Sequence, residues 1–345
     1  MKRHQFEQHA RHFRSGTISL NQLIDMVYGS GKEIAVIPPS EAPVAVQVAG
    51  ESYPFPKLKR RPTDAHKGDF GSILLVGGCR GMAGAISLAA MAAMRSGSGR
   101  VTVAVPESIA DVVAGFDPCY MTLPCPDSSG HFSIGVRNEI SETMENNDVV
   151  AIGPGMGREV DRLVLEALLE TDKPLVIDAD GLFLIGKHSM RIEDRKAPTI
   201  LTPHEGEFSA LVGGTFTSRT ETEAAAIEFA KNKSVTMVLK GHGTLVTDGT
   251  QTYRNQTGNP GMATGGSGDV LTGVIASLLG QGYGPMDAAV LGVCLHGKAG
   301  DLAAESLGVA SMVATDILDA LADAFKPDEF KGSPTTPLGE FRIGF

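Results

Sequence analysis

The sequence predicts an α/β fold: a mostly parallel central sheet between two helical layers, with an antiparallel edge. From Ser72 onward, short apolar runs rich in β-branched residues alternate with longer helix-like segments, the rhythm of βαβ units. Several of these runs are apolar at consecutive positions, as strands covered on both faces must be. Two later pairs of strand-like runs are separated only by turn residues, Lys240-Gly241-His242-Gly243 and then Asp248-Gly249, which places an antiparallel edge after the parallel part.

The expected strands are Ser72–Gly77, Val101–Val105, Tyr120–Leu123, Val149–Ile152, Leu175–Ile177, Thr199–Leu201, Val235–Leu239 and Thr244–Thr247. Between them, Glu159–Glu170 reads as a helix. Val160, Leu163, Val164, Ala167 and Leu168 recur there at spacings of three and four, and Leu165 and Leu169 widen the apolar face. The stretch from Gly268 to Phe325 reads as three helices, broken at Gly284-Pro285 and at Gly308.

Residues 1–56 differ from the rest, with a His- and Arg-rich start and a Pro-studded stretch from Pro38 to Pro56. They are expected to form an N-terminal extension, with a short helix over Ile18–Tyr28. His4, His9 and His12 are better explained by a solvated terminus than by a metal site. Residues 57–330 are expected to form the α/β domain and 331–345 a tail.

A net charge of −10 argues against nucleic acid as the main partner but leaves room for a small anion held by backbone amides. Neither the N-terminus nor the weakly polar run Gly84–Met94 is long and apolar enough to span a bilayer. Cys79, Cys119, Cys125 and Cys294 form no CxxC pair, and buried, reduced thiols in a cytoplasmic protein are expected.

The segment richest in chemistry runs from Asn255 to Asp269 and leads directly into the apolar helical pattern Val270–Leu279. Gly265, Gly266, Ser267 and Gly268 let the backbone approach a ligand, and the free amides of the following first turn offer an anion site where a phosphoryl group could sit. Asp269 lies at the start of that helix, where a carboxylate is electrostatically favoured and expected to be ionised. It reads as a general base or as an N-cap, and the surrounding glycines, more than a cap needs, favour the base. No GxxxxGK[ST] is present, and Gly77-Gly78 with Gly81 and Gly84 matches GxGxxG only loosely.

Gly265-Gly266-Ser267-Gly268-Asp269 resembles the anion-hole and catalytic-base motif of ribokinase-like kinases. His66-Lys67-Gly68-Asp69-Phe70-Gly71, Gly153-Pro154-Gly155-Met156-Gly157, Asp178-Ala179-Asp180-Gly181, Thr202-Pro203-His204-Glu205-Gly206-Glu207 and Lys240-Gly241-His242-Gly243-Thr244 narrow the resemblance to the NAD(P)H-hydrate dehydratase family, over roughly Lys57 to Phe325. The resemblance implies a ribokinase-like αβα sandwich and a lyase. Its reaction would be dehydration of the (6S) hydrate of NADH or NADPH, driven by cleavage of ADP or ATP, with Mg²⁺ on the phosphates.

On the same resemblance, Asp269 is the catalytic base, and Gly266 to Gly268 hold the phosphoryl group. Ala85, Gly155, Gly157 and His204 join Asp269 in binding the hydrate, while Lys240, Gly241, His242, Gly243, Thr244 and Gly268 bind the adenine nucleotide. Each has a plainer explanation: a helix start for Ala85, turns for the glycines, a structural histidine, a hairpin. Asp178 and Asp180 could orient Mg²⁺ or cap the next helix, with the cap favoured. The family also implies a tetramer, and residues 1–56 are too few for the epimerase domain that often precedes the dehydratase, so no epimerase activity is expected. The rival readings are a ribokinase-like kinase of a small vitamin-precursor alcohol and a nucleotide-binding protein without catalysis.

Overall fold

The computed structural model describes residues 51–326. The strands are β1 (Glu51–Ser52), β2 (Ser72–Val76), β3 (Arg100–Pro106), β4 (Met121–Cys125), β5 (Asp127–Ser128), β6 (His131–Phe132), β7 (Val149–Ile152), β8 (Leu175–Ile177), β9 (Thr199–Leu201), β10 (Thr236–Leu239), β11 (Leu245–Thr247) and β12 (Gln251–Arg254). The helices are α1 (Ala83–Arg95), α2 (Ala110–Ala114), α3 (Val136–Glu145), α4 (Arg162–Leu169), α5 (Ala179–His188), α6 (Glu205–Val212), α7 (Arg219–Lys233), α8 (Ser267–Gly280), α9 (Pro285–Leu307) and α10 (Ala314–Ala324).

All strands but β5 and β6 form one sheet in the order β1-β12-β11-β10-β9-β8-β7-β2-β3-β4. Pairing is parallel from β4 to β10, antiparallel through β11 and β12, and parallel again for β1 on β12. Period-2 alternation divides the strand side chains between two cores. Ile73 and Leu75 of β2 pack with α1, α8, α9 and α10, whereas Leu74 and Val76 pack with α3, α4, α5, α6 and α7. The result is the three-layer α/β architecture read from consecutive apolar positions.

The order places β2 centrally, with the next strand β3 on one side and β7 on the other. The strand order therefore reverses between β2 and β7, and an open α/β sheet offers its ligand crevice at that switch point. Over it, α8 and α1 cross so closely that a Cβ on Gly273 would lie 2.0 Å from the Ala89 carbonyl oxygen. The small, fully buried Ala89, Ala92 and Ala93 permit the approach, which seats the α8 N-terminus at the crevice.

Several expectations shift. The helix over Glu159–Glu170 begins only at Arg162, because the Asp161 side chain accepts the Leu163 amide and caps it. Leu163, placed on the buried face by spacing, is 47% exposed, and Val164, Leu165, Ala167, Leu168 and Leu169 carry the packing. The strand expected at Tyr120–Leu123 is Met121–Cys125, with Tyr120 donating its hydroxyl to the Val113 carbonyl instead.

Glu51 and Ser52 pair with Gln251 and Thr252 at the sheet edge, and the Tyr53 hydroxyl donates to Asp287 at 2.7 Å, so these residues join the domain. The helix over Ile18–Tyr28, His4, His9 and His12, and the tail 331–345 lie outside the described residues. Of the four free cysteines, Cys79 and Cys125 are buried as expected, Cys294 is half-buried and Cys119 is exposed. Among the described residues no helix is long and apolar enough to cross a membrane.

Gly273→Ala tests the helix crossing. Removing a helical glycine gains about 1 kcal/mol, but the added methyl meets backbone, and overpacking costs about 1–3 kcal/mol. Net destabilisation in chemical denaturation is expected; a stabilised variant would show that α1 can retreat.

Candidate active site

Most of the residues singled out by sequence converge on the C-terminal ends of β2, β7, β8, β9 and β10. Residues 66–71 do not, because they precede β2 and pack at the opposite end, where a Cβ on Gly71 would lie 2.2 Å from the Gly280 carbonyl oxygen at the end of α8. The glycine-rich loop turns into α8 at Gly266, whose φ of +91° is the left-handed conformation that glycine adopts freely. A Cβ there would also lie 2.6 Å from Leu88 Cδ1. No side chain caps α8, and although the Ser267 amide donates to the Thr264 carbonyl at 3.4 Å, the amides of Gly268 and Asp269 stay available to an anion. Gly268 leaves room for the Lys240 ammonium, which would be 3.2 Å from a Cβ at that position.

Beside this turn lies a cluster of charge. The Lys240 ammonium donates to Asp178 Oδ1 at 2.7 Å and lies 3.5 Å from Glu207 Oε2. The Thr272 hydroxyl, on the same α8 face one turn after Asp269, donates to Asp178 Oδ2 at 2.7 Å. Asp178 is only 1% exposed. Burial works against the charged form of Lys240, but the Asp178 and Glu207 carboxylates outweigh it and hold the ammonium above its ordinary value.

Burial and then the Asp178 carboxylate push Asp269 up to about 7, against the pull of Lys240. This corrects the expectation of a comfortably ionised carboxylate: being at a helix start does not offset loss of solvent beside a like charge. A carboxyl that titrates near neutrality suits a general base better than one always charged.

Asp178 corrects a second expectation. It occupies the N-cap position of α5 but makes no side-chain cap, because both oxygens are taken by Lys240 and Thr272. Asp180, inside α5, accepts the Gly157 amide at 2.9 Å and an Arg158 Nε–H at 3.4 Å.

The residues expected to bind the hydrate fall into two groups. Gly155 has φ +61°, and a Cβ on it would lie 3.0 Å from the Ala85 Cβ, so the loop after β7 touches the start of α1. Gly157 follows in that loop, against the His131 ring. His204, at the end of β9, caps α6: its Nδ1 accepts the Gly206 and Glu207 amides at 3.0 and 3.2 Å, and the Glu207 side chain accepts the His204 amide. In the neutral ring the proton is thereby assigned to Nε2, so the edge it can offer a ligand is a donor.

Lys240 to Thr244 divide by role. The Lys240 side chain belongs to the charge cluster, while Gly241, the exposed His242, Gly243 and Thr244 form the turn beyond it. Two arginines brace that turn: Arg219 donates to the Leu239 and Lys240 carbonyls at 3.0 Å each, and Arg254 to the Gly243 carbonyl at 3.1 Å. Both also bond the buried Glu223. Burial alone would raise that carboxyl, but the bonds from Arg254 and Arg219 hold it below its ordinary value.

Reading the sequence missed Thr272, Arg219, Glu223, Arg254 and His296. The Arg219–Glu223 spacing is a helical i,i+4 pair, but nothing local reveals the carbonyls it reaches. His296 of α9 approaches the Ser267 hydroxyl at 3.5 Å, and burial pushes it down to about 4, so it is neutral at pH 7.

The family model described as NAD(P)H-hydrate dehydratase matches residues 73–323. An ADP-dependent (S)-NAD(P)H-hydrate dehydratase of Neisseria meningitidis is 41% identical over 74% of this chain and 86% of that protein. A bifunctional NAD(P)H-hydrate repair enzyme of Moorella thermoacetica is 43% identical over 77% of this chain, and the chain spans 51% of its length, as it spans about half of the other bifunctional relatives it matches. A solved ADP/ATP-dependent NAD(P)H-hydrate dehydratase of Bacillus subtilis, co-crystallised with ATP/Mg²⁺, superposes with a TM-score of 0.65 at 28% identity, covering 77% of this chain and 93% of its own.

Asp269 carries a stability cost. Its proton is held more tightly in the folded protein than in the unfolded chain, where the group titrates near 3.8, so the carboxyl destabilises increasingly as pH rises from about 4 to about 7 and by a constant amount above. Asp269→Asn is expected to raise the melting temperature by about 8 °C at pH 8 and to change it little at pH 3.5. A gain independent of pH across that window contradicts the assignment.

Proposed function

The chain belongs to the NAD(P)H-hydrate dehydratase family, and from that premise we propose that it dehydrates the (6S) hydrate of NADH or NADPH at the expense of ADP or ATP. The observation that supports this best is the uncapped α8 N-terminus beside Asp269, a near-neutral carboxyl next to an anion site. In the proposed reaction the terminal phosphoryl group of the nucleotide rests on the amides at Gly266 to Gly268. Asp269 accepts the proton of the ring hydroxyl as its oxygen attacks phosphorus, and AMP (or ADP) leaves. The new phosphate ester is a good leaving group. The ring nitrogen's lone pair assists loss of inorganic phosphate, a proton departs from the neighbouring carbon, and the dihydronicotinamide double bond is restored.

Ala85, Gly155, Gly157 and the Nε2–H of His204 line the hydrate's side, and the Lys240 ammonium neutralises phosphate charge. Gly241, His242, Gly243 and Thr244 receive the rest of the nucleotide on a turn braced by Arg219 and Arg254. Among the described residues no three or more His, Cys, Asp or Glu side chains are arranged to hold a metal ion. Asp178 is committed to Lys240 and Thr272, and Mg²⁺ brought in with the nucleotide would supply further neutralisation of phosphate charge. The proposal extends to a cytoplasmic homotetramer, on the family resemblance.

Incubation with NADH hydrate and ADP or ATP is expected to regenerate reduced-nicotinamide absorbance, with one inorganic phosphate released per molecule restored. Asp269→Asn is expected to lose about 10²–10⁴-fold in turnover while binding nucleotide with nearly unchanged affinity. Wild-type protein that consumes nucleotide only with a vitamin-precursor alcohol, leaving the absorbance flat, would replace this reading with that of a kinase.

A further inference from the structure

We propose that Asp178 is a positioning residue for the reaction: its carboxylate, clamped between the Lys240 ammonium and the Thr272 hydroxyl, sets the proton affinity of Asp269 and ties the lysine to the first turn of α8. The proposal rests on the dehydratase reading and assigns a task to a residue that neither caps its own helix nor reaches solvent.

The geometry is specific. Asp178 stands at the C-terminal end of β8, Lys240 at that of β10, and Thr272 one turn beyond Asp269. Both contacts measure 2.7 Å, and Asp178 and Thr272 are 1% and 0% exposed. A Cβ on Gly268, next to Asp269, would lie 3.2 Å from Lys240 Nζ and 3.8 Å from Asp178 Oδ2. Burying such a pair is a poor means of gaining stability, because desolvation offsets most of the attraction. A buried pair of this kind against a proton-accepting carboxyl at an anion site is better explained by what it does to that carboxyl.

Few other charges compete. Asp269 is the only charged residue of α8, and the groups acting on it besides Asp178 and Lys240 are Glu207 of α6 and Asp180 of α5, both carboxylates. His296 of α9 is neutral. On α10, Asp316 is committed to the Val313 amide, and the charge on α1, Arg95, lies in its last turn. The sign of each effect follows. The Asp178 charge makes Asp269 a stronger proton acceptor, and Lys240 limits the rise so that the acceptor is still ionised near neutrality. The bond to Asp178 also holds Lys240 at the α8 turn, where an incoming phosphate needs it.

The test follows the Asp269 carboxyl directly in full-length protein carrying [4-¹³C]aspartate, its signal identified by its absence in Asp269→Asn. Asp178→Asn is expected to lower the Asp269 titration by about one pH unit. Lys240→Met is expected to raise it, and the double variant to fall between them. The acidic limb of kcat is expected to move in the same order. A residue that merely braces the fold would lower kcat and leave both the titration and the limb in place, and that result overturns the proposal. If Asp178→Asn does not fold, comparison of Lys240→Met with Asp178→Asn/Lys240→Met, which leaves no buried charge of the pair unpaired, decides: a lower Asp269 titration in the double variant supports the coupling and an equal one overturns it. The carboxyl titration needs no turnover, so a wild-type protein without dehydratase activity would count against the functional reading only.

Discussion

One ammonium among four carboxylates, set down where a helix begins, is the constraint on which the rest of the structure depends. Lys240 lies 2.7 Å from Asp178 and 3.5 Å from Glu207, with Asp269 and Asp180 close enough to add to the field. Such a group is short of positive charge, and other parts of the protein supply it: Arg158 lies 3.4 Å from Asp180. The α8 N-terminus does so through its dipole and uncapped amides, and an anionic ligand that arrives there must compete for the same donors. Crowding like charges in this way costs stability, as is expected of groups selected for chemistry.

The sheet makes the crowding geometrically possible. Parallel strands deliver Asp178, His204 and Lys240 at neighbouring C-terminal ends from β8, β9 and β10, and the bridge between His204 and Lys240 extends the ladder past the named strands. The opposing wall comes from β2 and β7, whose loops meet through the Gly78 amide donating to the Pro154 carbonyl and carry Ala85 on one side and Gly155 and Gly157 on the other. The helix that closes the site belongs to the opposite half of the chain. It reaches the crevice because glycine and alanine at the α1–α8 crossing allow the two backbones to approach. Core packing and site geometry are thus one problem: a bulkier residue at Gly273 would tilt α8 and carry the anion site and Asp269 together away from Lys240 and Asp178.

How much of this was legible in the sequence depends on the range over which each interaction acts. The parallel strands, the antiparallel edge and the last three helices were readable because burial on both faces and turn chemistry leave their mark within a few residues. The glycine-rich loop was readable for the same reason, since a left-handed Gly266 and a close approach at Gly268 restrict residue type locally. The start of α4 was misplaced because Val160 is buried without being helical, and periodicity cannot tell the two apart. The ionisation of Asp269 was misjudged because a helix N-terminus is a local feature, whereas burial by α8's neighbours and the Asp178 charge come from far along the chain. Thr272 looked like any polar residue in an apolar helix until β8 was placed against it.

The turn that begins at Lys240 carries the same lesson one step further. Lys240-Gly241-His242-Gly243-Thr244 was recognisable as a segment, but its shape is not self-supporting. Two of its residues have positive φ, and its carbonyls at Leu239, Lys240 and Gly243 are satisfied by Arg219 and Arg254. Both guanidinium groups are in turn oriented by a single buried carboxylate, Glu223, on α7. The turn is therefore built from three directions: the strand that feeds it, a helix that precedes it in sequence, and the strand β12 that follows. Such a turn presents its amides in a fixed geometry to whatever it binds, and the ordering entropy a free loop would lose on binding is spent at folding. The other end of the same segment puts the Lys240 ammonium in the charge cluster, so a single run of five residues joins that cluster to the turn that the two arginines brace.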